Sequence, residues 1–270
     1  MNKIILAFKT MVIKLLYKVL QKVNSQEFWI DVFNISLSRM NYGNGFCDQS
    51  GELNILKKIN SSYGKETKLI IFDVGANVGK YALFLADFFK ERVIIHSFEP
   101  SKKTYELFLE TTKDVKNIIP NNLGFSDADK NQLLYTDADG SELASVYKRK
   151  LDHFGASMDK SEEIKLTTLD NYCKANNIDR IHFLKLDVEG NELNALNGAK
   201  QMIDAHKIDF IQFEFGGCNI DSRTFFQDFF YLLKDNYKIY RIYKDGLYEM
   251  PTYKESYEIF LTINYLAEKK

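Results

Sequence analysis

Asp73-Val74-Gly75-Ala76-Asn77-Val78-Gly79 follows a short apolar run, residues 68–74, and precedes an apolar-rich segment, residues 80–90. A glycine-bearing turn between a strand and a helix is where an α/β sheet receives a nucleotide-like ligand. Gly75 and Gly79 permit tight turning and close approach to the backbone, with Ala76 and Asn77 between them. The helix that follows offers unpaired N–H groups to a carboxylate. A dinucleotide fingerprint needs glycines at its first, third and sixth positions, where this chain has Gly75, Asn77 and Lys80. A phosphate-binding P-loop needs four residues before Gly-Lys-Ser/Thr. Here only Ala76, Asn77 and Val78 intervene, and Tyr81 replaces the hydroxyl. Both phosphate readings fail, and with them a nicotinamide-dependent oxidoreductase. An acid just ahead of the loop, Asp73, suits a ligand with a cationic end and no pyrophosphate. S-adenosyl-L-methionine, a sulfonium that also carries an ammonium, has that character.

Glu99 ends the next apolar run, residues 92–100. That is where the acid of a βαβ nucleotide site accepts hydrogen bonds from ribose hydroxyls. At the following strand, Asn121, Asn122 and Leu123 stand where an adenine edge and face would be bound, Asn122 and Leu123 foremost. A third group lies in Leu184-Lys185-Leu186-Asp187-Val188-Glu189-Gly190. Alternation puts Lys185 and Asp187 on one side of a strand, and Glu189 with them if the strand continues that far, with the acids at its carboxyl end. Glu214 ends the strand after that and aims at the same face. Asp187, Glu189 and Glu214 are the candidate catalytic residues. Acids there can face a sulfonium, orient or deprotonate a hydroxyl, ligate a divalent ion, or cap the helix that begins near Asn191.

Other reactive side chains form no constellation. His96 lies in an apolar strand and reads as core, while His153, His182 and His206 are dispersed. Cys47, Cys173 and Cys218 are odd in number and lack CxxC spacing, so no disulfide framework, zinc site or other metal centre is expected, and a cytoplasmic location fits. Lys148-Arg149-Lys150 reads as a solvated basic loop or a contact for an acidic acceptor.

These groups must be positioned by alternating elements. Apolar strands at 68–74, 92–100, 115–127, 181–190 and 207–215 alternate with helices at 80–90, 101–114 (Ser101 as N-cap), 191–206 and 224–236. This predicts an α/β fold with a mostly parallel, seven-stranded sheet covered on both faces. Residues 237–249 flank Lys244-Asp245-Gly246, a hairpin signal, and an alternating strand follows at 258–267, giving an antiparallel C-terminal end. The stretch 130–170 interrupts the alternation as an inserted hairpin. The turns YGNGF (42–46) and DQSG (48–51) and the polar break at 60–66 divide a helical N-terminal segment, 1–62, from the cofactor-binding domain, 63–270.

DVGANVGKYALFLA, the FEP of 98–100, NNLGFSD, GSELASVYKR, TTLDNY and FLKLDVEGNELNALNGA together resemble the FkbM family of adenosylmethionine-dependent methyltransferases, over about residues 68–216. The first block alone fits many methyltransferases; its succession with the TLD and LKLDVEG blocks is far more specific. The resemblance implies a Rossmann-like methyltransferase fold. It also implies O-methylation of a hydroxyl on a glycan, a lipid-linked sugar or a secondary metabolite. NNLGFSD departs from the family's more frequent Asn-Ala-Leu-Ser-Asp. A cofactor-binding protein of this fold that methylates nothing stays open.

A net charge of −1 gives no global basic field, so no nucleic-acid partner is expected. Residues 1–23 contain Lys3, Lys9, Lys14, Lys18 and Lys22, no acid, and no uninterrupted apolar run long enough to cross a bilayer. Lys14, Lys18 and Lys22 line one face of a helix. The segment either lies on the inner face of an anionic membrane or docks on its own domain or a partner subunit.

Overall fold

The architecture follows from where the apolar runs fall. The computed structural model describes residues 3–43 and 50–270; Cys47 and most of the two expected turns at 42–51 lie outside the described residues. The chain divides into two compact units, Met1–Tyr42 and Gly43–Lys270. The first carries two helices, α1 (Lys3–Leu20) and α2 (Gln26–Arg39). Ser25 caps α2, its hydroxyl accepting from Phe28 N at 3.2 Å.

The second unit runs α3 (Glu52–Ser62), β1 (Leu69–Val74), α4 (Lys80–Phe89), β2 (Val93–Phe98), α5 (Lys102–Thr112), β3 (Ile118–Asn121), β4 (Gly124–Phe125), β5 (Lys130–Thr136) and β6 (Lys160–Thr167). It continues α6 (Leu169–Ala175), β7 (Ile181–Leu186), α7 (Glu192–Asn197), α8 (Lys200–Asp204), β8 (Ile208–Phe215), α9 (Cys218–Ser222), α10 (Phe226–Leu233), β9 (Tyr237–Tyr243), β10 (Gly246–Glu249) and β11 (Ile263–Lys269). The main sheet has the order β10-β9-β11-β8-β7-β1-β2-β3, parallel from β8 to β3. β11 lies antiparallel between β8 and β9, and β10 folds back on β9.

That is eight strands where the sequence pattern predicts seven. The hairpin read across Lys244-Asp245-Gly246 is present, and both of its arms, β9 and β10, join the main sheet, with Gly246 paired to Tyr243, which brings the count to eight. β11 also starts later than the alternation suggests. Glu258 is taken out of strand by its carboxylate, which accepts from Phe226 N and Gln227 N, both at 2.8 Å, at the start of α10. The single helix expected over 191–206 is broken into α7 and α8 at Gly198. A Cβ there would sit 2.0 Å from the Ser126 carbonyl oxygen, so the chain turns where only glycine passes. The inserted stretch is a small second sheet, β4-β6-β5, over its own cluster of Leu134, Val146, Ile164 and Leu166.

Two apolar layers cover the main sheet. On one face Leu69 and Ile71 of β1 and Ile95 of β2 pack with Ile55, Leu56 and Ile59 of α3, Leu85 of α4 and Phe108 of α5. On the other, Phe72 meets His96, Phe98, Phe125 and Tyr172, and α10 lays Phe226 and Phe229 on Phe213, Phe215 and Tyr265. His96 is core, as its strand implied, with Nδ1 2.9 Å from the Tyr172 hydroxyl. Because α3 belongs to this core, the compact unit begins at Gly43, whereas the sequence reading placed the division after residue 62.

If α3 is core, Ile55→Ala, at a fully buried position, should cost about 2–5 kcal/mol in urea unfolding. Leu53→Ala, 39% exposed on the same helix, should stay within about 0.5 kcal/mol.

Candidate active site

β1 and β7 are parallel neighbours, with Asp73 beside Lys185 and Val74 beside Leu186. The turn after β1 therefore leaves the sheet next to the end of β7. Gly75 adopts φ +86°, and a Cβ on it would lie 1.8 Å from the Asp187 carbonyl oxygen. Glycine is required on both counts. Gly75 N and Ala76 N donate to Phe98 O at 3.0 and 2.9 Å, which ties the turn to the end of β2.

Glu99, one residue past β2, receives Asn77 N on Oε2 at 3.0 Å and Ser101 N on Oε1 at 2.9 Å. Burial pushes its carboxyl up to about 7, against the pull of those two N–H groups. Asn77 also sits at positive φ. Its Nδ2 donates to Gly140 O at 3.2 Å and Ser141 O at 2.9 Å, latching the inserted segment onto the loop.

The loop opens into a cavity of about 520 Å³, within the range of small-molecule sites. One half is walled by Gly75, Ala76, Asn77, Glu99 and Pro100, with Phe98, Phe125, Leu134, Ile164 and Leu166 giving an apolar lining. The other half presents Asp187, Glu189 and Glu214 together with Lys185, Glu52, Thr262 and Asn264. The three acids expected at the strand ends thus share one volume with Gly75, Ala76, Asn77 and Glu99.

Four expected binding residues lie outside the cavity lining. Gly79 packs against Thr112 and Phe108 of α5. Asn122 donates its amide to Glu99 O at 2.9 Å and Pro100 O at 3.0 Å, so it braces the loop, and Leu123 yields its place to Gly124 and Phe125. Asp73 is fully buried behind the loop, and neither carboxylate oxygen has a hydrogen-bond partner among the described residues. Burial raises it to about 6, and the Lys185 charge restrains the rise. Burial opposes the charge on Lys185, yet Asp187, Asp73 and Glu52 together hold its ammonium protonated, well above the usual lysine range. Its Nζ is 2.8 Å from Asp187 Oδ2 and 4.6 Å from the centre of the Tyr81 ring.

Glu189 sits at φ +50°. Burial and then Asp187 raise its carboxyl to about 8, against the Arg149 guanidinium that pairs with it. Glu214 is raised well above the carboxylate range by burial and by Asp187, Glu189 and Glu192. Neither Asp187 nor Glu189 caps α7, whose N-cap position is Asn191 with no side-chain cap bond. Glu192 braces the turn ahead of the helix, accepting from Val188 N and Gly190 N at 2.9 and 3.0 Å. Sequence reasoning missed Glu192, and also Glu52 and Arg149.

Arg149 is not a solvated loop residue. Its side chain is 7% exposed, joined to Glu189 and 3.7 Å from Asp221, while Lys148 and Lys150 are exposed. Ligand atoms of Glu189, Glu214 and Cys218 lie within 4.8 Å of one another. Burial keeps the Cys218 thiol protonated, and Arg149 occupies Glu189, so the trio is a poor metal donor set.

Solved structures similar to this chain include the FkbM methyltransferase of Methylobacillus flagellatus KT, 19% identical with a TM-score of 0.45. The match covers 74% of this chain and 44% of that one, so this chain spans less than half of that protein. The fibrillarin pre-rRNA processing protein of Methanococcus jannaschii is 13% identical, covering 77% of this chain and 69% of its own, with a TM-score of 0.41. The N-terminal domain of human METTL16 in complex with SAH is 9% identical, covering 81% and 70%, with a TM-score of 0.42. No curated protein sequence matches. The Methyltransferase FkbM domain matches residues 73–240, more than half of the chain and the whole span from the Asp73 loop to β9, and the chain belongs to that methyltransferase family.

Proposed function

We propose that this protein is an S-adenosyl-L-methionine-dependent O-methyltransferase. Its acceptor is a hydroxyl on a glycan, a lipid-linked sugar or a secondary metabolite, reached from the cytoplasmic side. The observation that carries this reading is the continuity of one cavity from the Gly75–Asn77 turn and Glu99 to Asp187, Glu189 and Glu214. The donor set fits the cofactor. Glu99 keeps acceptor lone pairs for ribose hydroxyls, and the turn brings bare backbone to the ligand. An excess of buried carboxyls, Asp73 among them without hydrogen-bond partners, suits a cationic ligand. The cofactor supplies a methyl group activated by its sulfonium.

The chain's own residues do the rest. Asp187 and Glu189 orient the acceptor O–H, and the carboxylate of Glu189 takes its proton, with Arg149 as counter-ion. A carboxyl raised to about 8 is a better proton acceptor than an ordinary carboxylate. Glu214, held neutral, donates a hydrogen bond to a second acceptor oxygen. The aliphatic side chains of the inserted sheet keep water from the cofactor half.

Three outcomes test the reading. Glu99→Ala should weaken S-adenosylhomocysteine binding by calorimetry at least about tenfold, the loss of one or more charge-assisted hydrogen bonds. Micromolar binding unchanged in the variant, or absent in the native chain, refutes the proposal. Methyl transfer to a glycan or lipid-linked acceptor should rise as pH passes about 8 and Glu189 ionises, and Glu189→Gln should flatten that limb.

The third outcome concerns stability. Asp73, Glu99, Glu192 and Glu189 titrate at about 6, 7, 7 and 8 when folded, above their values in an unfolded chain. Between roughly pH 5 and 8 the folded state therefore holds more protons than the unfolded one, and stability falls as pH rises. The thermal midpoint of the ligand-free protein should drop across that window, and the cationic cofactor should offset the drop most at the alkaline end. A flat profile excludes a buried carboxyl excess.

A further inference from the structure

We infer that α1 is an interfacial helix that docks the protein on the surface of an anionic phospholipid bilayer. The helix runs without interruption from Lys3 to Leu20, about 27 Å at 1.5 Å per residue. At 100° per residue, Lys3, Lys14 and Lys18 fall within one stripe, and Lys22, just past the helix, continues it. Phe8, Leu15, Leu16, Ile13 and Tyr17 are distributed over the remaining arc, while Met11 falls inside the stripe, between Lys18 and Lys22. These side chains are 53–69% exposed: Phe8 63%, Met11 60%, Ile13 55%, Leu15 64%, Leu16 53% and Tyr17 69%. A water-facing apolar arc of this breadth is uncommon on a soluble surface and marks an interaction site.

Charge decides which occupant fits. Residues 1–23 carry lysines and no acid, so the partner surface is anionic as well as apolar. A bilayer with acidic headgroups offers both along the length of one helix, whereas a protein groove would have to match a broad apolar arc and a basic stripe at once. A spanning role is excluded by the sequence of the helix. No helix among the described residues is long and apolar enough to cross a membrane, and Lys9 interrupts the apolar arc by position, which an interfacial helix tolerates. Docking rests on the helix alone and not on the catalytic reading. If that reading holds, it places the enzyme beside acceptors carried on lipids.

The test is co-sedimentation of the full chain with vesicles of phosphatidylcholine alone or with phosphatidylglycerol. Binding should require the anionic lipid and fall with salt. Substituting Lys14→Gln, Lys18→Gln and Lys22→Gln together should weaken it on the order of 100-fold, and Leu15→Gln with Leu16→Gln should also abolish sedimentation. These positions belong to the first compact unit and the cavity residues to the second, so S-adenosylhomocysteine affinity should be unchanged and serves as the control for folding. No sedimentation of the native chain, or sedimentation indifferent to both variants, overturns the inference. So does a native oligomer that binds no vesicles and is dissociated by the leucine substitutions, since it assigns the arc to a second copy. Loss of cofactor binding in the native chain would instead count against the methyltransferase reading and leave the helix result standing.

Discussion

The close approach of Gly75 to the Asp187 carbonyl, under the parallel pairing of β1 with β7, sets the geometry of the site. A side chain at residue 75 would overlap that carbonyl. Without the contact, the turn could not leave β1 at this angle, and the loop that meets Glu99 would separate from the strand end that carries the acids. Asp187 N donates to Val74 O at 3.0 Å, so Asp187 also extends the pairing of β1 with β7 one step further. Cofactor half and acid half are neighbours because two strand ends are neighbours.

Adjacency has an electrostatic cost. It gathers Asp73, Asp187, Glu189, Glu192 and Glu214 with few compensating cations, chiefly Lys185 and Arg149. In a low-dielectric interior such groups respond by retaining protons. The fold tolerates this because several carboxyls receive specific donors: two backbone N–H groups for Glu99, two for Glu192, a guanidinium for Glu189. Asp73 has none. An environment that penalises negative charge suits a ligand carrying positive charge, as the proposed cofactor does.

What was legible in the sequence is what local spacing encodes. The Asp73–Gly79 turn and Glu99 at the next strand end were readable because each depends on a strand, a turn and their register. β7 stops at Leu186, so Glu189 reaches the cavity from a turn at φ +50° and not by strand alternation. The sheet was counted as seven strands although both arms of the 237–249 hairpin were read, since spacing marks a hairpin but not that both of its arms join the main sheet. Glu52 and Arg149 were illegible for a different reason. Glu52 gains its role from Gln212 across the sheet and Arg149 from Glu189, pairings distant in sequence that no periodicity announces. Asn122 shows the converse: a residue at the expected position whose amide is consumed by backbone carbonyls.

The inserted sheet follows the same logic at larger scale. Its segment between β5 and β6 touches both halves of the cavity. Asn77 holds Gly140 and Ser141 over the glycine turn, Ser145 Oγ donates to Glu189 O at 2.6 Å, and Arg149 joins the Glu189 carboxylate. The insertion therefore does more than cover an apolar wall. It is bonded to both halves of the cavity, to the loop through Asn77 and to the acid half through Glu189.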